Sequence, residues 1–271
     1  MTDQFFLNSD IVSVNAATVG IGANRWESIR ARDASPEKAR TKMEEHRFDV
    51  LPIEPESGPI ESYYETETWG DFASVHRRQI DYEDTLPFRR NIRSVIEELA
   101  DKETNFFFLT QGQEVVGLLT VSNLNCRPVR VYLFGLISEM ETGLAKVVEN
   151  GLNDGIFGED YVLDQMRGYL KSQYENSKEE GVDESITEYL HLSDLKDIIS
   201  EHALYEAFGY GKRDRFGEDF DALIDFRHSI AHPVRSLKGT DGSPESMWEN
   251  VETCERALFH LHNRGGGEDT W

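Results

Sequence analysis

The stretch Asp225-Phe226-Arg227-His228-Ser229-Ile230-Ala231-His232-Pro233 puts one guanidinium and two imidazoles within a few positions of each other. Such a set can hold an anion and exchange a proton near neutral pH. On a helical wheel Arg227 lies between Phe220, Leu223, Ile224 and Ala231, inside the apolar stripe. Arginine is rarely buried without a partner, and Glu139 or Glu141 would supply one. His232 falls at the helix's C-terminal end, because a residue before proline is biased away from helical geometry. The negative end of the helix dipole there would favour an imidazolium if the ring faces the helix carbonyls. His228 and His232, four apart, could share a metal in principle. No Glu stands between them, however, and no third ligand is evident.

The chain's bulk properties narrow the field. Its 271 residues suffice for two modest domains or one large one. Fifty-one acidic residues against 28 basic give a net charge of −23, which disfavours a general nucleic-acid coat or a membrane-surface role. No membrane or DNA partner is expected. Arg outnumbers Lys by 19 to 9, and this acidic, Lys-poor composition would suit a salt-rich cytoplasm. Cys126 and Cys254 are too few and too far apart for a disulfide framework or zinc site, and read as free thiols in a reducing cell. No signal peptide is evident after Met1, and no apolar run approaches the ~20 residues that span a bilayer. These points predict a soluble, cytoplasmic protein.

The elements that must position the candidate residues fall into two halves. In the first, Ser35-Pro36-Glu37 reads as a helix start, followed by Ala39 and Met43 on one face and a short strand over Phe48–Ile53. After Gly58 and Pro59-Ile60 comes an alternating aromatic stretch to Thr68. Ile92, Val95, Ile96 and Leu99 then recur at helical spacing. Phe106–Leu109 and Val115–Thr120 flank Gln111-Gly112-Gln113 as a hairpin. Phe48 and Phe106 head matching strands 58 residues apart, a weak repeat that implies two copies of one small α/β unit.

From about Arg130 the strand signals stop and an all-helical bundle is expected. One helix runs from Tyr132 to Glu149, a second is capped by Ser193, a third carries Phe216 to Ile230, and a fourth runs from Met247 to Leu261. Tyr161–Tyr174 has helical character, Lys178–Ser185 reads as an exposed loop, and the tail from Gly265 as disordered. The fold class is therefore α+β, with an N-terminal α/β pair over residues 1–130, a helical bundle over 131–264 and a tail over 265–271.

The first half resembles a tandem pair of CBS domains, on Phe48-Asp49-Val50-Leu51-Pro52-Ile53 and on Gly117-Leu118-Leu119-Thr120-Val121-Ser122-Asn123-Leu124. The resemblance implies a cleft for an adenosine-type nucleotide, held by Thr120, Ser122 and Asn123. Asn123 stands where the family usually has Asp; an amide accepts a hydroxyl proton without the charge that strengthens such bonds. The bland alternative is that Thr120 and Ser122 end a strand and cap the next helix. The first copy, at Gly58–Tyr64, carries no ribose carboxylate.

The second half resembles the HEPN superfamily, whose Arg-x4-x6-His motif is matched by Arg227, His228-Ser229-Ile230-Ala231 and His232. What that resemblance implies is a metal-independent endoribonuclease acting as a homodimer, with no required cofactor and RNA as substrate. Arg227 would hold the scissile phosphate, His232 would serve as general base or acid, and His228 would orient the site. Residues 131–271 hold 29 acids and 13 bases, a field that repels RNA except where locally reversed. Lys212, Arg213, Arg215, Arg227, Arg235 and Lys238 offer such a patch. Val234 stands where toxin-type members carry a Tyr. Together the halves suggest a sensor–effector protein of stress or defence regulation, the nucleotide state controlling the dimer. A non-catalytic regulatory or scaffold protein is the alternative.

Overall fold

Every residue from Val50 to Ile53 is buried, yet alternate side chains serve different cores. Leu51 and Ile53 pack with Ile29, Ala39, Met43 and Tyr64, while Val50 packs with Tyr63, Phe106, Phe108 and Leu118. One strand thus faces a helix on one side and a second sheet on the other. The computed structural model describes residues 14–182, 184–232, 236–237 and 243–265. The described residues up to Val129 form one compact unit and those from Arg130 another. The architecture is mixed α and β, with two small sheets followed by a helical region.

The first unit opens with α1 (Ala16–Val19) and β1 (Ile21–Gly22). It continues with β2 (Ile29–Arg30), α2 (Pro36–His46), β3 (Val50–Glu54), β4 (Ser62–Thr68) and β5 (Asp71–Gln79). Then come β6 (Thr85–Pro87), α3 (Ile92–Asp101), β7 (Phe106–Gln111) and β8 (Glu114–Thr120). The sheets run β2-β3-β4-β5 and β1-β8-β7-β6. In each, a strand pairs in parallel with the one after its helix, which then pairs antiparallel with the next. The β–α–β–β unit therefore occurs twice.

The repeat is real in topology, with a changed offset. α2 and α3 begin 56 residues apart, at Pro36 and Ile92, and so do β3 and β7, at Val50 and Phe106. Phe48 is not the counterpart of Phe106. It follows Arg47, a left-handed helix cap (φ 58°), stacks on His46 at 5.5 Å, and lies before the strand. The copies also diverge after their hairpins. Thr120 faces Phe106 across the β7–β8 ladder, and Glu65 faces Val50 across β3–β4. β8 then enters a 3-10 turn (Val121–Asn125), whereas β4 runs on to Thr68 and folds back as β5 through Gly70, whose φ of 84° suits glycine. The sequence pattern did not announce β5.

Local chemistry sets the helix ends. Ser35 accepts from the Lys38 amide at 3.3 Å, with Pro36 in the first turn, and Asn91 accepts from the Ser94 amide at 2.8 Å. Between the sheets lies an aromatic seam. Tyr63 meets Phe106 and Phe108 at 5.6 and 5.1 Å, Trp26 meets Phe108 edge-on at 6.3 Å, and Trp69 stacks on Phe106 at 6.4 Å.

The helical region holds α4 (Arg127–Asn153), α5 (Glu159–Gln165), α6 (Gly168–Glu179), α7 (Leu192–Glu201), α8 (Arg213–Ala231) and α9 (Pro244–Gly265). The expected Tyr161–Tyr174 helix is two, broken at Met166-Arg167. α6 also takes in Lys178 and Glu179, the start of the expected loop. The cap of α7 is His191, not Ser193: its side chain and that of Asp194 each accept the other's amide. α8 packs against α7 and α9. α4 and α9 approach closely at Gly143, where a Cβ would lie 2.5 Å from Leu261 Cδ1. The tail over 266–271 lies outside the described residues, and Gly265 ends α9. Among the described residues no helix is long and apolar enough to cross a membrane.

Two tests follow from the first unit. Phe108 is fully buried in the seam, so Phe108→Ala is expected to destabilise this unit by about 3–5 kcal/mol in chemical denaturation. Burial also pushes the carboxyls of Glu65 and Asp84 above the ordinary carboxylate range. The folded unit then binds protons more tightly than the unfolded chain. The stability that these two carboxyls contribute is fullest below that range and is lost as pH rises through it to the raised folded values. The melting temperature should be higher at about pH 5 than at about pH 7, and Glu65→Gln should flatten the dependence; an unchanged slope would refute this account.

Candidate functional site

Along α8 the residues Phe216, Phe220, Leu223 and Ile230 are buried, and Arg227 stands on the same line between Leu223 and Ile230. The stripe is flanked by buried Phe226, while Ile224 is half-buried and Ala231 exposed. Arg227 is buried at its ε nitrogen, with its side chain as a whole 34% exposed. Nε lies 2.7 Å from Glu141 Oε1 on α4. The contact is an ion pair by separation but not an aligned hydrogen bond, since the buried Nε–H finds no acceptor in bonding geometry.

Of the two acids expected beside Arg227, Glu141 takes the pairing. Glu139 is half-buried, and burial raises its carboxyl above the usual range, partly offset by the charge of His262 on α9. His262 Nδ1 lies 2.8 Å from the Leu258 carbonyl.

His228 and His232 are both exposed. The His232 amide donates to the His228 carbonyl at 3.1 Å, closing the last turn of α8, and His232 then leaves helical geometry at φ −105°, ψ 100°. That is the end expected before Pro233; Pro233 itself lies outside the described residues. No group of three or more metal-ligating side chains occurs among the described residues.

A residue that sequence reasoning missed governs this end of the helix. Arg130, on α4, is only 9% exposed and sends Nη1 to the carbonyls of Ser229 at 2.5 Å and Ile230 at 3.2 Å. The His232 carbonyl lies at 3.5 Å, the outer limit of bonding. A cation at a helix C-terminus is a familiar cap, but this one comes from about a hundred positions away. Local pattern holds no signal for it.

Among the described residues, the basic side chains read from sequence do not gather around the motif. Lys212 caps α8 and Arg213 starts it, so fourteen residues, or about 21 Å of helix, separate Arg213 from Arg227. Arg215 is tied to Asp219 at 3.1 Å, and Arg256 joins the same carboxylate at 2.8 Å. Arg235 and Lys238 lie outside the described residues.

In the first unit, Thr120 and Asn123 engage each other. The Asn123 side-chain oxygen accepts from the Thr120 amide at 2.8 Å and from its hydroxyl at 3.1 Å, and the Thr120 side chain takes the Asn123 amide in return. Ser122 is exposed. A separate cleft of about 1410 Å³ is lined by Tyr82, Arg90, Glu98, Lys102 and Gln113 among others, and by none of those three. Its cations have partners: Arg90 grips Glu98 at 2.7 and 2.8 Å, and Lys102 reaches the Glu83 carbonyl.

The Arg227–Glu141 pair is partly exposed, so its net worth is modest. A double-mutant cycle with Arg227→Ala and Glu141→Ala should return a coupling of about 0.5–1 kcal/mol, and zero coupling would deny the pair any hold on Arg227. Compared with models of known families and with curated proteins, the chain matches none.

Proposed function

We propose that the helical unit is a HEPN-type domain and that Arg227, His228 and His232 form a metal-independent endoribonuclease site, completed in a homodimer. The observation that carries this reading is the end of α8. Two exposed imidazoles stand one helical turn apart on the same helix as an arginine whose buried ε nitrogen lies against Glu141 and whose side chain is 34% exposed. In such a site Arg227 binds the non-bridging oxygens of the scissile phosphate. His232 takes the proton of the 2′-hydroxyl, whose oxygen attacks phosphorus. The P–O5′ bond breaks, and the 5′-oxygen receives a proton from an imidazolium. The products are a 2′,3′-cyclic phosphate and a 5′-hydroxyl.

The twice-occurring β–α–β–β unit supports a CBS-like sensing role for the first unit, with an adenosine nucleotide as ligand near Thr120, Ser122 and Asn123. Binding there requires the Thr120–Asn123 contact to open or to serve the ligand from its outer side. A second reading, a non-catalytic scaffold, is favoured by the Arg227–Glu141 pair, which gives the arginine a structural reason to exist.

Incubation with single-stranded RNA in chelator-treated buffer, at low and high salt, separates the two. Cleavage leaving cyclic-phosphate ends, lost in folded Arg227→Lys and His232→Ala variants, is the expected result. Intact RNA at every salt concentration would leave the scaffold reading.

A further inference from the structure

We infer that Arg130 is a positioning residue for the Arg227–His232 site, a conclusion that rests on the ribonuclease reading above. The last carbonyls of a helix have no partner within it. In α8 the His228 carbonyl is met by the His232 amide, and next along the chain come those of Ser229 and Ile230. Arg130 meets both through one nitrogen and approaches the His232 carbonyl as well. It does so where water is nearly excluded, and there a guanidinium acts on the negative end of the helix more strongly than at an exposed surface.

The consequence falls on the two histidines. Helix ends fray when their carbonyls must compete for water. His228 sits within the turn that Arg130 holds, and His232 is the residue at which the chain leaves it. Holding the Ser229 and Ile230 carbonyls fixes the spacing between the two imidazoles and the direction from which His232 approaches Arg227. Arg130 touches none of the reacting atoms. It acts through the backbone of the residues that do, as the support a catalytic geometry needs.

The test uses the full chain with Arg130→Lys, Arg130→Gln and Arg130→Ala, each checked for folding by circular dichroism and a cooperative melt. Amide exchange at Ile230–His232 should quicken about tenfold or more in Arg130→Gln, the effect of losing one or two charge-assisted bonds, with Phe216–Leu223 unchanged. For RNA cleavage kcat should fall about tenfold to a hundredfold with KM within about threefold, the pattern of a misplaced group rather than lost binding. Arg130→Lys should lie between, and added guanidinium ion should restore part of the kcat of Arg130→Ala. A lowered melting temperature with kcat and local exchange unchanged would overturn the inference, as would faster exchange with kcat intact. Wild type that cleaves no RNA overturns the ribonuclease reading instead, while the exchange data still decide whether Arg130 holds the turn.

Discussion

Helix ends leave backbone groups that must find partners, and this chain's candidate chemistry is arranged around how it meets that demand. Several ends are served locally. Ser35, Asn91 and His191 each accept a first-turn amide, and Thr120 and Asn123 satisfy one another at the turn that follows β8. The end of α8 is served from far away, by Arg130. The distinction matters because both candidate sites are helix ends. At the first, residues that would bind a ligand also cap; at the second, the capping group comes from elsewhere and leaves both imidazoles exposed.

The same accounting explains what was legible in the sequence. Ser35-Pro36-Glu37 announces α2 because its cap is three residues long, and the stripe through Phe216, Phe220 and Leu223 announces α8 because the helix buries one face. Arg227 stood out as a cation in that stripe, and a pairing with Glu141 or Glu139 could be anticipated from the acids beside the apolar stripe of α4. Which acid won depended on the packing of α4 against α8. Glu141 reaches Arg227, while Glu139 feels His262 on α9. Arg130 was illegible because its partners are carbonyls, which every residue has. β5 was missed because all of its residues are exposed or half-buried and show no apolar alternation.

The acid excess has its own structural expression. Several carboxylates take phenol hydroxyls, Glu159 beside Lys178 and Asp219 beside Arg215 and Arg256. Tyr174 donates to Glu159, Tyr161 to Glu201, Tyr189 to Glu184, and Tyr210 to Asp219. In Tyr161, Tyr174 and Tyr210 burial is the main cause that raises the phenol's pKa; in Tyr189 it is the bond to Glu184. At Glu201 and Glu184 the neutral phenol satisfies a carboxylate oxygen without requiring a counter-charge.

The two β–α–β–β copies share an offset of 56 residues up to their second strands and then part. Where the later copy has Thr120 and a turn, the earlier one has Glu65 in a strand that continues into β5. The duplication is therefore symmetric in scaffold and asymmetric in junction. Among the described residues a molecule that reads a strand-to-turn junction of this kind meets one of them, so a saturating titration would reach its plateau at a single equivalent, and two molecules bound together would require two chains.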